Sequence, residues 1–142
     1  REVPLFGAIS CVNSNPDSGR TGSIKCGLSA LGWPKRAIVA PVDRPGFSSK
    51  TLRRLIGSEV CTCPSNGGRG GHPILLDEAA IEAVRHALPD MPLRSLCTPL
   101  RFEVEDPYAS LNIDTEADVQ MLRSKWPDIE SSWKVDAHPE QY

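Results

Sequence analysis

Ala37-Ile-Val-Ala-Pro-Val-Asp-Arg-Pro45 is the stretch on which the fold turns. Its first six residues form a continuous apolar run, the pattern of a strand covered on both faces in a parallel sheet. Pro41 is awkward there, because proline donates no ladder hydrogen bond, so the strand is expected to fray or bulge at its end. Asp43 follows directly. In open α/β sheets, ligands bind outside the carboxyl ends of the strands, which puts this carboxylate at the functional edge.

Outward from this run, strands and helices alternate. Upstream, Phe6 to Val12 reads as a short apolar strand, and Thr21 to Leu31 as a helix with Ile24, Leu28 and Leu31 on one face. Gly32 and Pro34 stop that helix. Downstream, Ser48 or Ser49 caps a helix to Ile56 whose inward residues are Leu52, Leu55 and Ile56. Glu59 to Cys63 is a strand. Ser65 to His72 is too glycine-rich for regular structure. Pro73 to Leu76 is a strand, and Asp77 caps a helix through Leu88 with Ala80, Ile81, Val84 and Leu88 on its apolar face. Pro92 to Cys97 reads as a short helix and Arg101 to Glu105 as a strand. Thr115 caps the last helix with Asp118 as its capping-box partner, and Pro127 ends that helix at Trp126. The pattern predicts an α/β fold with a mainly parallel sheet covered on both faces. It places one domain at residues 1–126 and a polar tail at residues 127–142, from which Trp133 can dock on the body.

At 142 residues and 39% apolar, the chain suffices for one core. A net charge of -2 supplies no basic field to recruit nucleic acid. The pairs Lys35-Arg36 and Arg53-Arg54 sit at element ends and read as solvated surface. No apolar run approaches the roughly 20 residues of a membrane span, and the N-terminus lacks the apolar centre of a signal peptide. The five cysteines are odd in number and scattered, and Cys61-Thr-Cys63 has the wrong spacing for a zinc knuckle. Reduced thiols and a cytoplasmic location are expected.

Two carboxylates, Asp43 and Asp114, stand out. Asp43 ends a strand before Arg44-Pro45, and Asp114 in Asn112-Ile-Asp-Thr115 immediately precedes a helix. Mg²⁺ takes hard oxygen ligands, usually one or two carboxylates plus substrate phosphate, so a pair arriving at one rim of the sheet can hold it. The plain alternatives are that Asp43 only starts a turn before proline and that Asp114 or Thr115 is only a helix cap. Gly19-Arg-Thr-Gly-Ser23 opens a helix whose free N–H groups can meet a base, ribose or anion, although it is no P-loop. In Gly67-Gly-Arg-Gly-Gly-His-Pro73, the glycines permit close backbone approach, Arg69 can fork onto a phosphate, and His72 can donate or accept near neutral pH. The alternative there is a flexible hairpin-like loop with a solvated arginine. His86 lies on a helix beside Arg85, His138 falls in the tail, and no Gly-x-Ser-x-Gly elbow or catalytic triad is present.

In this order the motifs resemble those of the nucleotidyltransferases of molybdenum cofactor synthesis, the cytidylyltransferase branch above all. The resemblance rests on Asn15-Pro16, Gly19-Arg-Thr-Gly-Ser23-Ile-Lys-Cys-Gly27-Leu28, Asp43-Arg44-Pro45, Gly68-Arg-Gly-Gly-His-Pro73 and Asn112-Ile-Asp-Thr-Glu-Ala-Asp118, and it spans Ala8 to Leu122. It implies a three-layer α/β/α nucleotidyltransferase fold of Rossmann-like type. It implies Mg²⁺ held through Asp43 and Asp114 as the catalytic pair, a nucleotide contacted by Gly19, Gly22, Ser23 and Asp43, and an acceptor contacted by Arg69, Gly70 and His72. The implied reaction joins the terminal phosphate of molybdopterin to the α-phosphate of CTP and releases pyrophosphate, with CTP or GTP left open as the nucleoside triphosphate. The family's opening βα unit, with its glycine-rich Arg-Met-Gly loop and lysine around the triphosphate, does not occur in this sequence, so the fold is expected to be N-terminally incomplete. Arg44 stands where the cytidylyl branch has glutamine, Gly22 where it has serine, and Asn112 where it has aspartate. The alternatives are an inactive relative that binds nucleotide or pterin, a sugar-phosphate nucleotidyltransferase, and a scaffold that pairs through an open sheet edge into a homo-oligomer.

Overall fold

The computed structural model describes residues 7–134. Expectations for Phe6 and His138 fall outside this range. The chain divides into two compact units, Arg1–Ala37 with Glu78–Thr98 and Ile38–Asp77 with Pro99–Tyr142. The class is α/β, with a single open five-stranded sheet and four α-helices among the described residues.

In the first unit, α1 (Arg20–Ala30) packs against α3 (Glu78–His86). Leu28 of α1 and Ala80, Ile81 and Val84 of α3 are buried. A Schellman arrangement closes α1: the Gly32 N–H reaches the Ser29 carbonyl at 3.0 Å and the Trp33 N–H reaches the Leu28 carbonyl at 2.9 Å. Gly32 takes φ 72°, which only glycine adopts cheaply. The Arg85 guanidinium lies 5.0 Å from the Trp33 ring centre. Because the chain turns at Gly32, Leu31 falls beyond the apolar face and is exposed. Likewise α3 stops at His86, so Leu88 does not belong to its apolar face and is 64% exposed.

The expected strand from Phe6 to Val12 is not formed over its described part. Gly7 to Val12 is irregular and exposed. An apolar run becomes a strand only beside a partner that takes its backbone groups, and this segment pairs with none of the described strands.

The second unit holds the sheet. The strand order is β1 (Ala37–Val39), β4 (Ile74–Leu76), β2 (Thr62–Asn66), β3 (Arg69–Gly70), with β5 (Leu100–Glu103) on β2. β5 runs parallel to β2, whereas β3 and β4 run antiparallel to it, so the sheet is mixed rather than mainly parallel. The cause lies in the glycine string. Gly67 (φ 57°) and Gly68 (φ 77°) fill a two-residue turn with both central residues left-handed, which is what a tight hairpin requires. Asn66 pairs with Arg69 and Ser65 with Gly70 across it. Ser65 to His72 is therefore not irregular: it carries the end of β2 and all of β3.

β1 stops at Val39, two residues before Pro41, and Val42 is fully exposed. α2 (Ser49–Ile56), capped by Ser48, contributes Leu55 to a core with Leu75 and Phe102, against which Ile38 and Val104 pack. Arg54, one residue before Leu55, lies over the Phe102 ring at 4.4 Å.

α4 runs from Glu116 to Lys134 and continues through Pro127, which corrects the expectation that Pro127 ends it. A proline inside a helix removes one backbone bond and costs about 3 kcal/mol. The last turns are held from elsewhere. Ile129 is buried, the Trp133 ring meets Phe47 edge-on at 5.5 Å, Tyr108 donates to Asp128 at 2.9 Å, and Ser49 donates to the Ser132 carbonyl at 2.8 Å. Burying one isoleucine side chain is worth roughly 1.5–3 kcal/mol, so Ile129 offsets much of the proline's cost and the Trp133, Asp128 and Ser132 contacts add to it. No described helix is long and apolar enough to cross a membrane.

Candidate functional site

Asp43 sits in a turn closed by the Arg44 N–H on the Pro41 carbonyl at 3.2 Å. Proline and aspartate at such positions are ordinary turn chemistry. The same residue has a second tie: its carbonyl accepts the Ile113 N–H at 2.9 Å. The loop after β1 and the loop before α4, 70 residues apart in sequence, are thus stitched together one residue from Asp114.

The start of α4 separates two roles that sequence alone leaves merged. The Asp118 carboxylate accepts from the Thr115 N–H at 2.8 Å, the Thr115 hydroxyl at 2.8 Å and the Asp114 N–H at 3.1 Å. The Asp118 N–H points back to the Thr115 hydroxyl at 3.3 Å, completing a reciprocal capping box. These bonds, the Thr115 hydroxyl's first, hold the Asp118 carboxyl below its usual pKa. Thr115 and Asp118 therefore do the capping. The exposed carboxylate of Asp114 is met by the Asn112 side-chain amide. The amide oxygen of Asn112 is buried with no hydrogen-bond partner among the described residues.

The hairpin is held by a clasp that sequence reasoning missed. Glu103 on β5 accepts from the Ser65 hydroxyl at 2.5 Å and from the Gly68 N–H at 3.2 Å. Those bonds lower its pKa, the Ser65 contribution being the largest. Arg101 donates to the Gly68 carbonyl at 3.0 Å. The alternation Arg101, Phe102, Glu103 was the available signal, since it puts both charges on one face of the strand. Arg69 is exposed on β3. A side chain at Gly70 would press on the Arg101 guanidinium and the Cys63 sulfur, at 3.1 and 3.2 Å. His72 is half-buried just after β3.

Gly19, Gly22 and Ser23 belong to the other compact unit, at the start of α1. Both glycines have a packing reason. A side chain at Gly19 would strike the Pro89 carbonyl at 2.6 Å, and one at Gly22 would touch Pro89 at 3.1 Å. The Gly22 N–H donates to that same Pro89 carbonyl, at 3.1 Å. Ser23 is exposed and accepts from the Asn13 amide at 3.0 Å.

A cleft of about 290 Å³ opens between the start of α2 and the end of α4, lined among others by Gly46, Ser48, Asp106, Tyr108 and Asp128. Neither Asp43 nor Asp114 lines it. Asp106 accepts three hydrogen bonds there, from the Ser48 N–H (2.9 Å), the Ser48 hydroxyl (2.7 Å) and the Thr51 hydroxyl (2.5 Å). Gly46 has to be glycine: a Cβ would fall 1.9 Å from the Tyr108 carbonyl oxygen. Ser48-x-x-Thr51 is readable as a helix start, but its carboxylate partner is far away in sequence.

Among the described residues no three His, Cys, Asp or Glu side chains gather into a metal cluster. The side chains carried by the two joined loops, the Asp43 and Asp114 carboxylates and the unsatisfied Asn112 amide oxygen, are hard oxygen donors, the chemistry of Mg²⁺ and not of a soft metal.

The family model described as a MobA-like NTP transferase domain matches residues 1–104. The matched stretch includes Gly19 to Ser23, Asp43 and the hairpin, and it ends before Asn112. No curated protein matches the chain.

Proposed function

Because the chain belongs to the MobA-like NTP transferase family, we propose that its nucleotidyl transfer passes CMP from CTP to the terminal phosphate of molybdopterin, with Asp43 and Asp114 holding Mg²⁺. The family match over residues 1–104 carries the coarse part, a nucleotidyltransferase-type function on a nucleoside triphosphate. The bond from Ile113 to Asp43 supports the finer part, because it brings the two carboxylate-bearing loops together.

In this reading an acceptor phosphate oxygen attacks the α-phosphorus, the bond to the β-phosphate breaks, and pyrophosphate leaves. No covalent nucleophile on the protein is needed, so the demand on the chain is positioning and charge neutralisation. Asp43 and Asp114 bind the divalent ion, which when present supplies charge neutralisation at the reacting phosphates. In this reading the start of α1 meets the nucleotide through the Ser23 hydroxyl, which accepts from Asn13 and can still donate, while Gly19 and Gly22 shape the backbone there, their N–H groups being bonded to the Pro16 and Pro89 carbonyls. Arg69 forks onto the acceptor phosphate, Gly70 keeps backbone close to the acceptor, and His72 donates to its polar edge.

Titration calorimetry with CTP and with GTP, each with and without Mg²⁺, tests this. Metal-dependent heat is expected with one of the two, and GTP in place of CTP would trace to Arg44. Asp43→Ala should weaken the Mg²⁺-dependent binding at least about tenfold, one hydrogen bond to a charged group being worth roughly 1.5–3 kcal/mol. Its circular dichroism should be unchanged. Unaltered affinity in the variant would reduce Asp43 to a turn former, and no metal-dependent heat with any nucleotide would remove the reading.

A further inference from the structure

The five cysteines fall into two groups. Cys61 and Cys63 are buried, and Cys97 is half-buried with its thiol on the Leu93 carbonyl. Cys11 is exposed and Cys26 is half-buried on α1. The Cys26 sulfur lies 3.5 Å from the carbonyl of Val12, the neighbour of Cys11. One turn earlier on α1, Ser23 accepts from Asn13, so the segment carrying Cys11 is laid along this helix at two successive points. The neighbouring Cys11 thiol, ahead of burial, raises the Cys26 pKa.

We propose that Cys11 and Cys26 are a redox pair that closes a disulfide between the Gly7–Val12 segment and α1 when a small disulfide such as oxidised glutathione is present. Cys11, the accessible sulfur, loses its proton and attacks the oxidant, releasing one small thiol and forming a mixed disulfide. Cys26 then gives up its proton and attacks the Cys11 sulfur. The protein S–S bond forms and the second small thiol leaves. The protein loses two electrons and two protons, and the oxidant takes them up as two thiols. The bond pins the segment along the face of α1 that carries Ser23, and thiol reductants reverse it. This chemistry is independent of nucleotidyl transfer.

The test is mass spectrometry of the full chain after exposure to oxidised glutathione. Arg20 and Lys25 lie between the two cysteines, so trypsin separates the peptides that the bond would join. The expected result is loss of two hydrogens from the intact mass and a Cys11–Cys26 linked peptide that dithiothreitol abolishes. Cys26→Ser should instead trap a stable glutathione adduct on Cys11, and Cys11→Ser should give no linked peptide. A wild-type protein that accumulates the Cys11 adduct without the internal link, or that links other cysteines, overturns the proposal.

Discussion

Asp106→Ala tests whether α2 depends on a carboxylate that its own sequence does not contain. The native carboxylate takes the Ser48 N–H, the Ser48 hydroxyl and the Thr51 hydroxyl. Thr51 is 2% exposed, so water has little access to replace the lost acceptor, and an unsatisfied buried hydroxyl costs roughly 1–3 kcal/mol. Ser48 borders the open cleft and keeps its own cap on the Thr51 N–H at 3.2 Å, so its loss is smaller, about 1 kcal/mol. Together these come to about 3 kcal/mol, a large share of a typical domain's 5–15 kcal/mol. At roughly 3 °C per kcal/mol for a chain of this size, Tm should fall about 10 °C. Thermal melts by circular dichroism and urea titrations measure it, with the midpoint moving and the slope m unchanged. Asp106→Asn keeps one acceptor oxygen and should lose about half as much. A melt for Asp106→Ala within about 2 °C of wild type would refute the ledger, because about 3 kcal/mol cannot hide in so small a shift.

Two further perturbations have opposite signs. Pro127→Ala should stabilise the protein, by up to about 3 kcal/mol, because it restores a donor to the Arg123 carbonyl and leaves Ile129 and Trp133 in place; a lower Tm would show that the proline is needed where it stands. Glu103→Gln should destabilise in a pH-dependent way. The folded-state pKa of Glu103 lies below its ordinary value of 4.5, so the carboxylate's contribution is fully present above that pH and is lost as pH falls through the lowered value. The Tm gap between wild type and variant should therefore be full at neutral pH and close on acidification below 4.5, and a gap that stays constant would assign the clasp to something other than charge.

Local signals in the sequence served well where the physics was local. Ser48 as a cap, Thr115 with Asp118 as a capping box, Leu28, Leu55, Ile81 and Val84 as core, and the early end of the strand before Pro41 all follow from groups within a few residues of one another. What escaped depends on distant partners. Gly67 and Gly68 read as part of an irregular loop, with a hairpin-like loop only as the alternative, because glycine abundance does not reveal which φ each residue takes; two left-handed residues in succession make a hairpin. Pro127 read as a stop because the groups that hold α4 beyond it, Phe47, Ser49 and Tyr108, lie far upstream. Of the candidate site, the order Asp43 then Asp114 was legible, but the bond joining their loops runs through main-chain atoms that carry no side-chain signature.

The way α2 is tied down bears on how this chain comes together in time. Its first turn is completed by Asp106, 58 residues after Ser48, and by the Ser132 carbonyl, 83 residues after Ser49. During synthesis the helix leaves the ribosome long before either anchor exists, and at eight residues it is too short to persist alone. Its consolidation must wait for the C-terminal third of the polypeptide, so nascent chains stalled before Asp106 should expose this segment to proteases and chaperones.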